Sequence, residues 1–284
     1  MAWRKGRIEA FALADLIMDP VTSSEGAHVD HVSLAIDQSI AEIALNGGPL
    51  NLVTKPLLRS LNSVLREVSA RSDLRCAILH GGTARAFCAG SDIREFEHLR
   101  HDASEQKILF EDMVLRALAQ LPMPTIAAID GPALGGGLEL ALACDLRVCK
   151  KGVKLGFTES RLGGLAGNGA VRVTHLVGPA RAKELLFTGE VITTDQALAW
   201  GLVNRVVESG SALEGARELA HSVVARGPVS NRLAKRLVDA AQDTSLDAAL
   251  SMSTVAQQQI FDSEDLHEGV SAFLSKRAPN FQGR

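Results

Sequence analysis

The chain has 284 residues and a mass of 30.2 kDa, with 46% apolar and 22% charged side chains. A chain of that mass buries about 73% of the surface it would expose when extended, so it can build a core without metal or disulfide staples, and its composition is that of a globular protein. A balance of 30 basic against 33 acidic residues, a net charge of −3, 2 Trp and no Tyr lack the basic excess and aromatic platforms of nucleic-acid binders, which excludes that class.

Arg4, Lys5 and Arg7 precede an apolar run, but Glu9 and Asp15 interrupt it and no small-residue cleavage site follows. Residues 1–30 therefore read as an N-terminal extension or a loosely docked helix, and the protein is expected in the cytoplasm. Strand patterns follow at Val32–Ile36 and Ile40–Leu45, joined by the turn residues Asp37-Gln38-Ser39, and Asn46-Gly47-Gly48-Pro49 ends the second. Leu57, Leu58, Leu61, Leu65 and Val68 recur at helical spacing behind Thr54 as N-cap. Cys76–His80 reads as a short strand, Ile108–Leu118 as an amphipathic helix stopped by Pro122, and Thr125–Ile129 as a buried strand. A helix is expected after Gly135, then strands at Leu146–Cys149 and Val153–Phe157. From Asn168 onward most segments read as helices, broken at Gly178-Pro179, Gly189, Gly201 and Gly227-Pro228.

Alternating strands and helices followed by helices alone predict an α/β core over residues 31–208 and a helical C-terminal region over 209–284. Leu121–Val148 is the most apolar stretch, but Asp130, Glu139 and Asp145 interrupt it, so no membrane partner is expected. Cys76, Cys88, Cys144 and Cys149 form no CxxC pair and no zinc-like spacing with the histidines, so no metal site is expected. P-loop, dinucleotide-binding, nucleophile-elbow and HExxH patterns are all absent.

Three strand-following segments carry the chemistry: Ala86-Phe87-Cys88-Ala89-Gly90-Ser91-Asp92-Ile93, Gly131 through Ala141, and Leu155 through Gly163. The consecutive Gly135, Gly136 and Gly137 leave backbone bare, so a ligand carbonyl can approach their N–H groups. The helix behind them adds partial positive charge. Glu139 follows Gly136 by about one turn and overlooks the same spot, although an acid in a first turn also serves the helix dipole.

These segments resemble the enoyl-CoA hydratase/isomerase, or crotonase, superfamily. AFCAGSDI is similar to its AFxAGxD signature, GPALGGGLELALACD to GxxxGGGxELxxxCD, and FTESRLG to its strand-then-glutamate segment. LVGPARAKELLFTGEVITTDQALAWGLVNRVV and EGVSAFLSKRAPNF resemble the downstream region and C-terminal helix, so the likeness runs from about Leu34 to the C-terminus. The resemblance implies a spiral of ββα units with a helical C-terminal region, assembled as a homotrimer or homohexamer. It implies an acyl-CoA thioester as substrate, its oxygen held in an oxyanion hole by the backbone N–H groups of Ser91 and Gly136. Ala89, Gly90, Asp92, Ile93 and Gly135 are then substrate-binding, and Glu139 and Glu159 manage water at the β carbon and the proton at the α carbon. No cofactor is expected beyond the coenzyme A carried by the substrate.

Retention of both glutamates favours hydration of a 2-enoyl-CoA to a 3-hydroxyacyl-CoA. The alternatives are an enoyl-CoA isomerase working mainly through Glu159 and a non-catalytic acyl-CoA-binding protein. The chain departs from the family pattern at Thr158, where Pro is common, and at Ala166-Gly167, where Pro-Gly is common. Asn46-Gly47-Gly48-Pro49 also lacks the usual basic residue, and Lys276 and Arg277 are candidate phosphate contacts.

Overall fold

The computed structural model describes residues 31–284; the expected N-terminal extension lies outside them. Val32–Asp37 (β1) and Ile40–Leu45 (β2) pair antiparallel around a turn in which Gln38 takes a φ of 53°. Cys76–His80 (β3), Thr125–Ile129 (β4), Leu146–Lys150 (β6) and Arg205–Val207 (β9) then add in parallel, giving the order β1-β2-β3-β4-β6-β9. A smaller sheet joins Ala133–Leu134 (β5) in parallel to Lys154–Gly156 (β7), which pairs antiparallel with Val191–Thr193 (β8).

Period-two alternation decides which side chains meet which helix. Ala77 and Leu79 of β3, with Ala127 and Ile129 of β4, enter the main core with Lys55–Ala70 (α1) and Leu109–Ala119 (α2). Thr54 caps α1 by accepting the Leu57 N–H at 3.4 Å. Cys76, Ile78, Ile126 and Ala128 point the other way, onto Ala212, Ala216 and Ala220 of Ala212–Val224 (α6). This helix covers the second face of the large sheet, because alanines at every fourth position let a helix lie close against strands.

Gly136–Leu142 (α3) packs against Gly167–Thr188 (α4), a helix kinked at Gly178 (φ 79°, ψ 164°). The capped Thr194–Ala199 (α5) follows β8. Pro228–Asp243 (α7) and Leu246–Phe261 (α8) share a satellite core of Val229, Leu233 and Ala256. Lys235 of α7 is tied to the core by a 2.8 Å ion pair with Asp145, whose carboxylate also takes the Thr125 N–H at 2.7 Å. After Glu264–Leu274 (α9), the chain turns back, Arg75 donating to the Phe281 carbonyl at 2.5 Å and Gln282 to Asp265 at 2.6 Å.

The expected strands and helices through Gly156 all form, within a residue or two at their ends. β5, β8 and β9 are additions the sequence pattern did not mark, since two or three residues carry no readable alternation. No helix among the described residues is long and apolar enough to cross a membrane.

Candidate active site

The segment Ala86–Asp92 is stitched between two neighbours. On one side Ala89 donates to the Leu50 carbonyl, Val53 to Gly90 and Asp92 to Val53, at 2.9, 2.9 and 3.3 Å; on the other Leu134 donates to Cys88 at 3.0 Å. Asn51, fully buried, locks this strap from beneath, its Nδ2 donating to the carbonyls of Gly81, Ala86 and Phe87 at 2.9, 3.3 and 3.1 Å. In that ladder the Ser91 N–H points away from Val53, and no acceptor among the described residues takes it.

The three glycines sit at the junction of β5 and α3 for different reasons. Gly135 adopts φ 51° and ψ −126°, and a Cβ there would strike the Glu159 carboxyl. A Cβ on Gly136 would meet only ordinary contacts, 3.5 Å from Ser91 Oγ and 3.7 Å from the Ser91 nitrogen. A Cβ on Gly137 would fall inside the Cys88 carbonyl. Gly136 opens α3, where an N–H has no intrahelical acceptor, and it too finds none elsewhere among the described residues. Two unengaged N–H groups, of Ser91 and Gly136, therefore border one small space.

Glu139, on α3, is 8% exposed, and its Oε1 accepts the Gly169 N–H at 2.7 Å. Burial pushes its carboxyl up to about 7; the Gly169 bond opposes this, and the negative charges of Glu159 and Glu111 add to it. Glu159 opens a short turn, Glu159–Leu162, that ends at the left-handed Gly163 (φ 74°). Burial raises this carboxyl as well, and its Oε2 is buried with no hydrogen-bond partner among the described residues.

Ala89, Gly90, Ser91, Asp92, Ile93, Gly135, Gly136, Glu139 and Glu159 all line a single cavity of about 2170 Å³. That exceeds the roughly 300–1,000 Å³ of an ordinary small-molecule pocket. Asp92 spends its carboxylate locally: it accepts the Arg94 N–H at 3.1 Å and pairs with the Arg94 guanidinium at 2.6 Å, which holds it below the usual carboxylate range. Ile93 is 48% exposed at the cavity rim. Arg277 grips Glu268 with two bonds of 2.6 and 2.8 Å, so its guanidinium is already engaged.

Sequence reasoning missed two contributors. Asn51 sits in a turn whose function appears only when three distant carbonyls converge on it. Glu111, on α2, accepts the Ser91 hydroxyl at 3.3 Å and lies 3.6 Å from Lys107 Nζ. Its place within an amphipathic helix gave no signal, since charged residues on helices ordinarily face solvent.

The family model described as enoyl-CoA hydratase/isomerase matches residues 35–284. A short-chain-enoyl-CoA hydratase of Clostridium acetobutylicum is 33% identical over 88% of this chain and 96% of its own. The mitochondrial methylglutaconyl-CoA hydratase of Rattus norvegicus is 35% identical over 82% and 76%. The crystal structure of an enoyl-CoA hydratase from Bacillus anthracis superposes with a TM-score of 0.85 at 34% identity, covering 89% of this chain and all of that one. Likeness in both sequence and fold, extending over nearly the whole described chain, makes this protein a member of the enoyl-CoA hydratase/isomerase family and an acyl-CoA-processing enzyme of the crotonase fold.

Proposed function

We propose that the protein adds water across the double bond of a 2-enoyl-CoA, with Ser91 and Gly136 as its oxyanion hole and Glu139 and Glu159 as its acid–base pair. The observation that carries this reading is the meeting, in one cavity, of two unengaged N–H groups with the buried carboxyl of Glu139 and the half-buried one of Glu159. Fixed N–H dipoles favour charge on a thioester oxygen without having to reorganise. As that oxygen accepts electrons, the β carbon becomes electrophilic.

In this reading Glu139, its Oε1 anchored by Gly169, takes a proton from water as the water oxygen bonds to the β carbon. The double-bond electrons move onto the thioester oxygen, and the enolate then collapses as Glu159 gives its proton to the α carbon. The unpartnered Oε2 of Glu159 supports this role, because desolvation of that carboxyl outweighs the one backbone N–H that opposes it and favours the protonated state. One water is added and the protons return to the pair by exchange. The reading also takes residues 209–284 as the assembly region of a homotrimer or homohexamer, and needs no cofactor.

The experiment is turnover of 2-enoyl-CoA thioesters of graded chain length in ¹⁸O-labelled water. Hydration consumes the conjugated thioester absorbance and places the label in the product; migration of the double bond without label would replace hydratase by isomerase. Glu159→Gln should fold normally and lose at least about 10²-fold in turnover. Near-normal activity in that variant removes Glu159 from the mechanism.

A further inference from the structure

Besides Glu139 and Glu159, the cavity is lined by a third glutamate, Glu111. Glu111 is held from two sides: the Ser91 hydroxyl donates to its Oε1 at 3.3 Å, and Lys107, one turn earlier on the same helical stretch, lies 3.6 Å away. Lys107 is 5% exposed, reaches Glu95 at 3.3 Å, and stacks its ammonium 5.7 Å from the Phe96 ring centre. A lysine so buried requires a partner, and Glu95 already provides one. Glu111 is thus a second acid on a neutralised lysine, and its charge weighs unfavourably on both Glu139 and Glu159. Space filling or lysine pairing alone does not account for an acid kept at that cost.

Its one further contact does. Ser91 is clamped along its backbone by Val53, through the Gly90 carbonyl and the Asp92 N–H, and across its side chain by Glu111. Its N–H is the group left over, and its nitrogen lies beside Gly136. We propose that Glu111 is a positioning residue for the reaction: by accepting the Ser91 hydroxyl it fixes the Ser91 peptide, and Lys107 fixes Glu111. The inference rests on the reading of Ser91 and Gly136 as the oxyanion hole. Within it, the Ser91 hydroxyl has a job distinct from nucleophilic attack: it is the handle by which the peptide is held.

The test uses the full chain and butyryl-CoA, a saturated thioester that cannot be hydrated, carrying ¹³C at its carbonyl so that the bound stretch can be read by difference infrared spectroscopy. Wild type should lower that frequency relative to free ligand. Glu111→Ala and Ser91→Ala should each lose most of the lowering, and should each lose about 10-fold in kcat on crotonyl-CoA with KM little changed, as for a small misplacement of a catalytic group. The double variant should be no worse than the worse single one, because both act through one contact. Glu111→Gln keeps an oxygen acceptor for Ser91 and should restore both readouts towards wild type. A wild-type frequency in bound Glu111→Ala, or losses that multiply in the double variant, overturns the inference while leaving the oxyanion reading intact. An unshifted carbonyl in wild type overturns both. Should Glu111→Ala fail to fold, an unaltered frequency in Ser91→Ala overturns the inference equally.

Discussion

Glu139 is buried at the expense of stability. Its carboxyl titrates near 7 in the folded chain against an ordinary value of 4.5, so the folded chain holds this proton more tightly than the unfolded one. The stability linked to it is intact below about pH 4.5 and is lost as pH rises through about 7, by up to about 3 kcal/mol at 1.36 kcal/mol per unit. Glu139→Gln, uncharged throughout, should therefore be more stable than wild type in denaturant melts at pH 8, with the difference closing by pH 4.5. A difference independent of pH would show that burial does not hold the carboxyl up. Glu139 and Glu159 were legible in the sequence because each sits inside a short local pattern. Glu111 was not, because its defining partner Ser91 lies 20 residues away, and Asn51 was not, because its acceptors lie 30–36 residues away.

At the scale of elements, the turn from β5 into α3 separates packing from proposed chemistry within three adjacent residues. A proline is tolerated at the first position of a helix, where its missing N–H costs no intrahelical bond. Gly136→Pro should therefore keep the fold, checked by melting, yet lose about 10²–10³ in turnover if that N–H holds the thioester oxygen. Gly137→Ala should do the reverse damage. Its methyl meets the Cys88 carbonyl, a backbone atom fixed by the bond from Leu134, so we expect a loss of more than about 3 kcal/mol in stability. Full activity in a folded Gly136→Pro removes the donor from the mechanism, and an unperturbed melt of Gly137→Ala contradicts the close packing. The glycine run was readable as a place of close approach. Which glycine serves which purpose depends on Cys88 and Ser91 of one segment and Glu159 of another.

For the whole molecule, the alternation of strands and helices made the α/β core and helical C-terminal region legible from the chain alone. The strand order was not, because two strands of the smaller sheet, β7 and β8, lie between β6 and its partner β9, and β9 is three residues long. The C-terminal helices leave much apolar surface outside: Leu246 is 74% exposed, Phe261 65% and Phe273 83%. Clusters of such side chains mark surfaces that meet other proteins. Light scattering at micromolar concentration should give a trimer or hexamer mass, and a monomer mass across that range would contradict assembly.

The bond from Arg75 to the Phe281 carbonyl joins residues 206 positions apart. On a ribosome adding about 5–20 residues per second, its two halves emerge on the order of 10–40 s apart. The last strand of the large sheet ends at Val207, so every strand has been made while the Arg75 guanidinium still faces water. The docking of the C-terminal segment onto Arg75, the residue before β3, is therefore a late event of biosynthesis, made only after every strand of the sheet has been synthesised.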